Sequence, residues 1–271
     1  MRKILGEVIR EVRSKLTLTF LFFWIAITAA LISFAVYRSH NYQLRDSLEY
    51  FSFILNGALP ITFPILAVLV YVASFSGEVN HRFLVYTRMR RPIIETIYIK
   101  LTANIILTCL FFFSLIFISF LFAYYIEPYL GIADYDPEGF GLTKDNITAD
   151  TYTRYTFTQL LEYGTFTYSI LYSLWVGINA ALYSAISFFL VLIIKNRFLA
   201  LSLPFIGYII VIFTLIALDL EIYRLSYVIF PFDRIQSPIW TAFVPFLVLV
   251  VILFCLMIYV RRNTSKVDSF S

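Results

Sequence analysis

The sequence predicts an all-α integral membrane protein with six transmembrane helices, and three observations carry that expectation. Of its 271 residues 61% are hydrophobic and only 14% charged, with a mean hydropathy of +0.83. Those values lie outside the range of a soluble domain of this size and opposite to those of a disordered chain. All Lys, Arg, Asp and Glu residues fall outside six long runs, 16–37, 50–76, 101–126, 163–194, 198–218 and 235–260. The runs are 22, 27, 26, 32, 21 and 26 residues long, each above the roughly 20 that carry a helix across a hydrocarbon core of about 30 Å. They do not alternate apolar and polar residues as barrel strands do; 110–117 reads Leu-Phe-Phe-Phe-Ser-Leu-Ile-Phe.

The first run follows 15 mixed residues, is too long for the apolar part of a signal peptide and has no small-residue cleavage site after it, so it is expected to be retained. Orientation follows from Lys and Arg. Segments 1–15, 77–100, 195–197 and 261–271 hold 15 of them, and the alternate loops hold 6. Both termini are therefore expected on the cytoplasmic side. The acids follow the same division, 5 on that side and 12 on the other, which leaves the outer face negative. Cys109 and Cys255 fall inside runs and are expected as small buried apolar residues, not as an exported disulfide.

Residues 1–15 place Ile4, Leu5, Val8, Ile9, Val12 and Leu16 at helical spacing, with Arg2, Lys3, Glu7, Arg10, Glu11, Arg13 and Lys15 on the other faces. This predicts an amphipathic helix along the inner leaflet, acting either as a topological anchor or as a lever onto the first span. Between the second and third spans, 77–100, nothing breaks a helix from Glu78 to Met89, and Arg82, Tyr86 and Met89 share one side with Phe83 and Thr87 beside them. Pro92 then suits the first position of a new helix. The expected product is an elbow that exposes aromatic side chains beside four Arg, a composition favoured at protein interfaces; four Arg that only enforce topology are the alternative.

The outer segment 127–162 carries 7 acids against Lys144 and Arg154 and reads as turns and solvated surface. Its acid spacing fits no EF-hand loop. Only 195–197 separate the fourth and fifth runs, which requires a tight hairpin. Residues 219–234 contain Tyr223-Arg224-Leu225-Ser226-Tyr227-Val228-Ile229-Phe230-Pro231-Phe232, too apolar for a free loop and too short to cross, so a re-entrant or interfacial element is expected.

Catalytic motifs are absent. The two histidines, His40 and His81, lie in expected loops on opposite faces, and there is neither a His-Glu-x-x-His pair nor a Gly-x-Ser-x-Gly elbow. No catalytic or metal-ligating residues are assigned. No run carries the ionisable residue that ion-coupled carriers keep at mid-membrane, and no P-loop is present. The polar side chains within the runs, among them Asn56, Thr62, Asn104, Thr108, Ser114, Asn179, Ser184, Ser187 and Thr214, are expected mostly as links between helices.

An amphipathic first helix, six spans and an elbow from Gly77-Glu78 through Arg88-Met89-Arg90-Arg91-Pro92 to Lys100 together resemble the type 2 ABC transporter permease family. The resemblance covers nearly the whole chain as layout. It implies that 1–15 is an interface helix, that the elbow is a coupling helix docking on an ATPase, and that 228–232 matches the short outer helices before the last span. It further implies that two permease chains, identical or homologous, pair around a central path with two ATPase subunits beneath. ATP and Mg would then be held by those partners, with no cofactor and no enzymatic activity in this chain. On that basis Glu78, Arg82, Phe83, Tyr86, Arg88, Arg90 and Arg91 are the expected docking residues. The outer loop of 36 residues, 127–162, is longer than members of the family carry. The expected setting is a bacterial cell membrane, with membrane lipid and no nucleic acid among the partners. The expected activity is export of an amphiphilic peptide, drug or lipid-like molecule. The alternative from another class is a non-transporting immunity or sensor protein for an antimicrobial peptide.

Overall fold

The computed structural model describes residues 2–80, 92–143 and 145–263. In chain order the elements are α1 (Arg2–Lys15), α2 (Leu18–Ser39), β1 (Gln43–Leu44), α3 (Ser47–Leu55), α4 (Leu59–Asn80), α5 (Ile93–Leu121), α6 (Glu127–Leu130), β2 (Asp134–Tyr135), α7 (Ile147–Thr153), α8 (Thr165–Ile193), α9 (Arg197–Ala217), α10 (Leu225–Ile229) and α11 (Trp240–Arg262). Among the described residues six helices are long and apolar enough to cross a membrane: α2, α4, α5 continued through a wide turn at Phe122–Ile126 into α6, α8, α9 and α11. The chain is thus an all-α, multi-pass membrane protein.

Helices α4, α5 and α8 form the centre, and α2, α9 and α11 lie around them. The apolar stretch of α8 is 78% buried inside the chain whereas that of α2 is 11% buried, so α2 holds on by one narrow face. Close approach of α8 to α5 depends on Gly177, where a Cβ would lie 2.8 Å from the Cys109 carbonyl oxygen. Small residues let backbones approach in this way where lipid offers no hydrophobic drive between helices. The core divides along the bundle. At the basal end, which holds α1 and the last turn of α11, Tyr71, Phe75, Ile97, Leu101, Phe188 and Val260 pack together, with Phe75 stacked on Phe188 at 4.2 Å. Toward the distal end the core is aromatic: Phe51 meets Phe120 at 5.3 Å and Phe232 at 5.7 Å edge to face, a preferred ring geometry.

Several expected boundaries shift. The run 50–76 is not one span: α3 and α4 are separate helices broken at Asn56-Gly57-Ala58. A run without charge measures hydrophobicity, not helical continuity. Asp46 caps α3, accepting the Glu49 N–H at 2.9 Å, and α3 is buried against the distal core, so its apolar residues face protein. The third span begins earlier than 101, at Ile93, with Pro92 as its N-cap. Helices α2, α8, α9 and α11 overlap the charge-free runs 16–37, 163–194, 198–218 and 235–260, with α11 beginning only at Trp240. Cys109 is partly buried and Cys255 is exposed on α11, against the expectation that both are buried.

The described residues of 127–162 form a cap: turns and exposed residues such as Asp134, Glu138 and Asp145, as expected, are anchored by buried side chains and short elements. The β1 and β2 strands pair in parallel, Gln43 opposite Asp134 and Leu44 opposite Tyr135. Arg154 holds Asp46 with two bonds of 2.8 and 3.0 Å and also pairs with Asp150, joining α7 to the cap of α3. Burial opposes its charge, but the two carboxylates outweigh burial and hold the guanidinium more firmly protonated than an ordinary arginine. Glu127 is fully buried, accepting the Ala133 N–H at 2.9 Å and the Tyr135 hydroxyl. Burial first, and then this bond, push the Tyr135 phenol above 10.0. Residues 219–234 pack back onto the bundle: Leu225, Val228, Ile229, Phe230 and Phe232 are buried, and the Ile229 carbonyl accepts the Tyr172 hydroxyl at 2.9 Å.

Two outcomes are expected. Gly177→Ala should lower stability by about 1–3 kcal/mol through overpacking, seen as a lower Tm in detergent. Gly207→Ala, with nothing within 4 Å, should not lower it. Tyr135 binds its proton more tightly folded than unfolded, so its contribution is complete below the ordinary phenol value and is lost as pH rises above it. The stability gap between the wild type and Tyr135→Phe, about 1 kcal/mol at pH 8, should therefore close as pH is raised past 10.0.

Candidate functional site

At the basal end three helices meet through charge. On α1, Glu11 and Lys15 are one turn apart and so share a face. On α4, Tyr71, Phe75 and Glu78 rise on successive turns toward the helix end. Lys100 stands two turns into α5. A lysine here is sheltered at 5% exposure, which demands partners, since an isolated buried ammonium is too costly to keep.

The partners are present. Lys100 Nζ lies 2.7 Å from Glu78 Oε2 and 3.0 Å from Glu11 Oε1. Lys15 Nζ pairs with Glu78 Oε1 and donates to Ser74 Oγ at 2.9 Å. The Tyr71 hydroxyl donates to Glu11 Oε1 at 2.9 Å. Lys15 also lies 5.6 Å from the Tyr71 ring and Lys100 6.0 Å from that of Phe75, within cation–π reach. Among the described residues two acids thus meet two bases, and every charged member bridges two helices. Such a half-buried network adds little over apolar packing, but it fixes which residues meet, and removing Lys100, its one buried member, leaves its acids short of a partner.

The seven residues expected at the docking surface divide. Glu78 ends α4 with its carboxylate turned inward onto Lys15 and Lys100, a bracing position and not an outward one. Arg82, Phe83, Tyr86, Arg88, Arg90 and Arg91 lie in 81–91, outside the described residues. What the structure describes is both margins of that segment: α4 to Asn80, α5 from Ile93, and the Glu78–Lys100 pair joining them. Sequence reading missed Glu11, Lys15, Tyr71 and Lys100. The i, i+4 spacing of Glu11 and Lys15, and the position of Lys100 as the last charge before an apolar run, were available signals. Tyr71 carries none.

Deeper in the bundle the expected links between helices are only partly realised. Asn104 on α5 accepts from Ser184 on α8 at 2.7 Å and from Thr108 at 3.3 Å, all three fully buried. Thr62, Ser114 and Thr214 instead donate to carbonyls of their own helices at 2.8, 3.0 and 2.8 Å, a local option open to any hydroxyl in a helix.

Comparison of this chain with protein-family models, with curated proteins and with solved structures finds no match.

The junction's energetics can be checked directly. Lys100→Met leaves Glu11 without its lysine and Glu78 with Lys15 alone and is expected to cost about 1.5–3 kcal/mol, seen as a lower Tm in detergent. Adding Glu11→Gln restores the charge balance and should recover part of that loss, so the two changes are non-additive.

Proposed function

We propose that this chain is the membrane-spanning subunit of an ATP-driven exporter of the type 2 ABC permease kind. It moves an amphiphilic peptide, drug or lipid-like molecule outward, using a separate ATPase. The observation that carries the reading is the charged junction: Glu78 and Lys100 close the base of the segment 81–91, and Glu11 and Lys15 tie the same point to α1. A segment rich in Arg and aromatic residues, held on two helices that are bolted to a third, suits a surface on which a partner pushes.

In this reading ATP-driven closure of paired ATPase subunits displaces 81–91, and the ends of α4 and α5 move with it. Glu78 passes the displacement to Lys15, and Lys100 passes it to Glu11, so α1 moves too. Leu16 and Thr17 join α1 to α2, whose N-terminus Thr17 caps by accepting the Phe20 N–H at 3.3 Å. The loosely held α2 is then the span freest to shift. A second permease chain completes the path. The basal end faces the cytoplasm, in keeping with the 15 basic residues that the sequence puts in segments 1–15, 77–100, 195–197 and 261–271.

The test is affinity purification of the full chain in mild detergent, with identification of co-purifying proteins and assay of ATP hydrolysis. A stoichiometric P-loop ATPase is expected, and Phe83→Ala with Tyr86→Ala should release it while membrane insertion persists. Purification without any ATPase in more than one detergent would overturn the reading in favour of a non-transporting immunity or sensor protein.

A further inference from the structure

The apolar arc of α1 divides between two neighbours. Val8 is buried and Val12 packs on the basal core, beside Glu11 and Lys15, which face the junction. Leu5, Ile9 and Leu16 are instead 61%, 45% and 54% exposed. At 3.6 residues per turn these three lie within about 40° of one another, and Arg13 and then Arg10 follow on the flank away from the bundle. Both arginines are exposed. The acids do not cancel both of them there: Glu11 is turned inward onto Lys100, and Glu7, one turn before Arg10, stands about 120° around the helix from Arg13.

The position of this strip names its occupant. Only Leu16 and Thr17 separate α1 from α2, a helix fit to cross the membrane, so the strip sits at the depth where that span enters the bilayer. It is also continuous with the outer surface of α2, where Leu18 and Phe22 are 72% and 64% exposed. A helix whose exposed apolar strip is edged by arginine, held at the depth of the lipid headgroups, matches an anionic leaflet: acyl chains against Leu5, Ile9 and Leu16, phosphates against Arg10 and Arg13. Each basic residue near such a surface contributes about 1 kcal/mol.

We propose that the outer face of α1 is a binding surface for anionic phospholipid in the leaflet at the basal end. The proposal goes beyond the exporter reading and does not depend on it. Its consequence is mechanical: one face of α1 is gripped by lipid and the other by Glu78 and Lys100, so α1 links leaflet to bundle.

The test uses the full chain reconstituted in vesicles of equal parts phosphatidylcholine and phosphatidylglycerol, re-extracted in mild detergent, with the retained lipid quantified by mass spectrometry. The ratio of phosphatidylglycerol to phosphatidylcholine in the retained lipid is expected at severalfold the bulk ratio. Arg10→Gln with Arg13→Gln should return it close to the bulk ratio, and Arg261→Gln with Arg262→Gln, at the end of α11, should leave most of the enrichment. Should the α1 double variant not fold, Ile9→Gln provides the second variant and is expected to reduce the enrichment. No enrichment in the wild type, enrichment undiminished by the α1 variants, or loss confined to the α11 pair would each overturn the proposal. No ATPase enters this assay, so its failure is separable from failure of the exporter reading.

Discussion

Burial of Lys100 at the base of the bundle is the constraint on which the rest of the basal architecture depends. An ammonium at 5% exposure must be compensated, and the compensation comes from two helices at once: Glu78 at the end of α4 and Glu11 on α1. Glu78 then takes Lys15 as a second partner, and Tyr71 occupies Glu11. Each requirement recruits another element, so α1, α4 and α5 are held in one relative position by chemistry in place of bulk packing. In a membrane protein this matters more than in water, because lipid is as apolar as leucine and helices gain little from hiding hydrophobic surface from it.

The two ends of the molecule solve the same problem differently. At the basal end the charges lie between helices and fix their approach. At the distal end Arg154, Asp46 and Asp150 stitch a cap together, while the spans beneath are filled by rings such as Phe51, Phe120 and Phe232. The distal arrangement fixes a lid of irregular chain; the basal one fixes helix ends on either side of 81–91. Under the exporter proposal, that asymmetry fits a base that passes movement between helices and a cap that covers the opposite end. It also accounts for α2, which is attached by a narrow face and joined through two residues to the helix the junction holds.

The six spans were legible because desolvation is a property of composition over about 20 residues, and a charge-free run reports it directly. Continuity was not legible: 50–76 is as apolar as any run, yet Asn56 and Gly57 end one helix before another begins, and the burial of α3 against Phe120 and Phe232 is invisible without the fold. The pattern of α1 was legible as amphipathic, but not the division of its apolar arc, with Val8 and Val12 on protein and Leu5, Ile9 and Leu16 outward. Glu78 could be singled out by its place before the elbow, but its inward role could not. Its partners Lys15 and Lys100 stand 63 and 22 residues away in sequence, and no local pattern encodes such meetings. The cap was hidden for the same reason, since Asp46 and Arg154 are 108 residues apart.

The proposal that the junction transmits motion from 81–91 to α1 can be tested by pulsed electron-electron resonance on the chain with the ATPase that the exporter reading proposes as its partner. Labels would replace Gly6, which has nothing within 4 Å, and Phe198, which is 80% exposed, with the native cysteines changed to serine. The account predicts that ATP with vanadate shifts the distance distribution in the wild type, and that Glu78→Gln abolishes the shift while the ATPase stays bound. A shift of the same size in Glu78→Gln would contradict it.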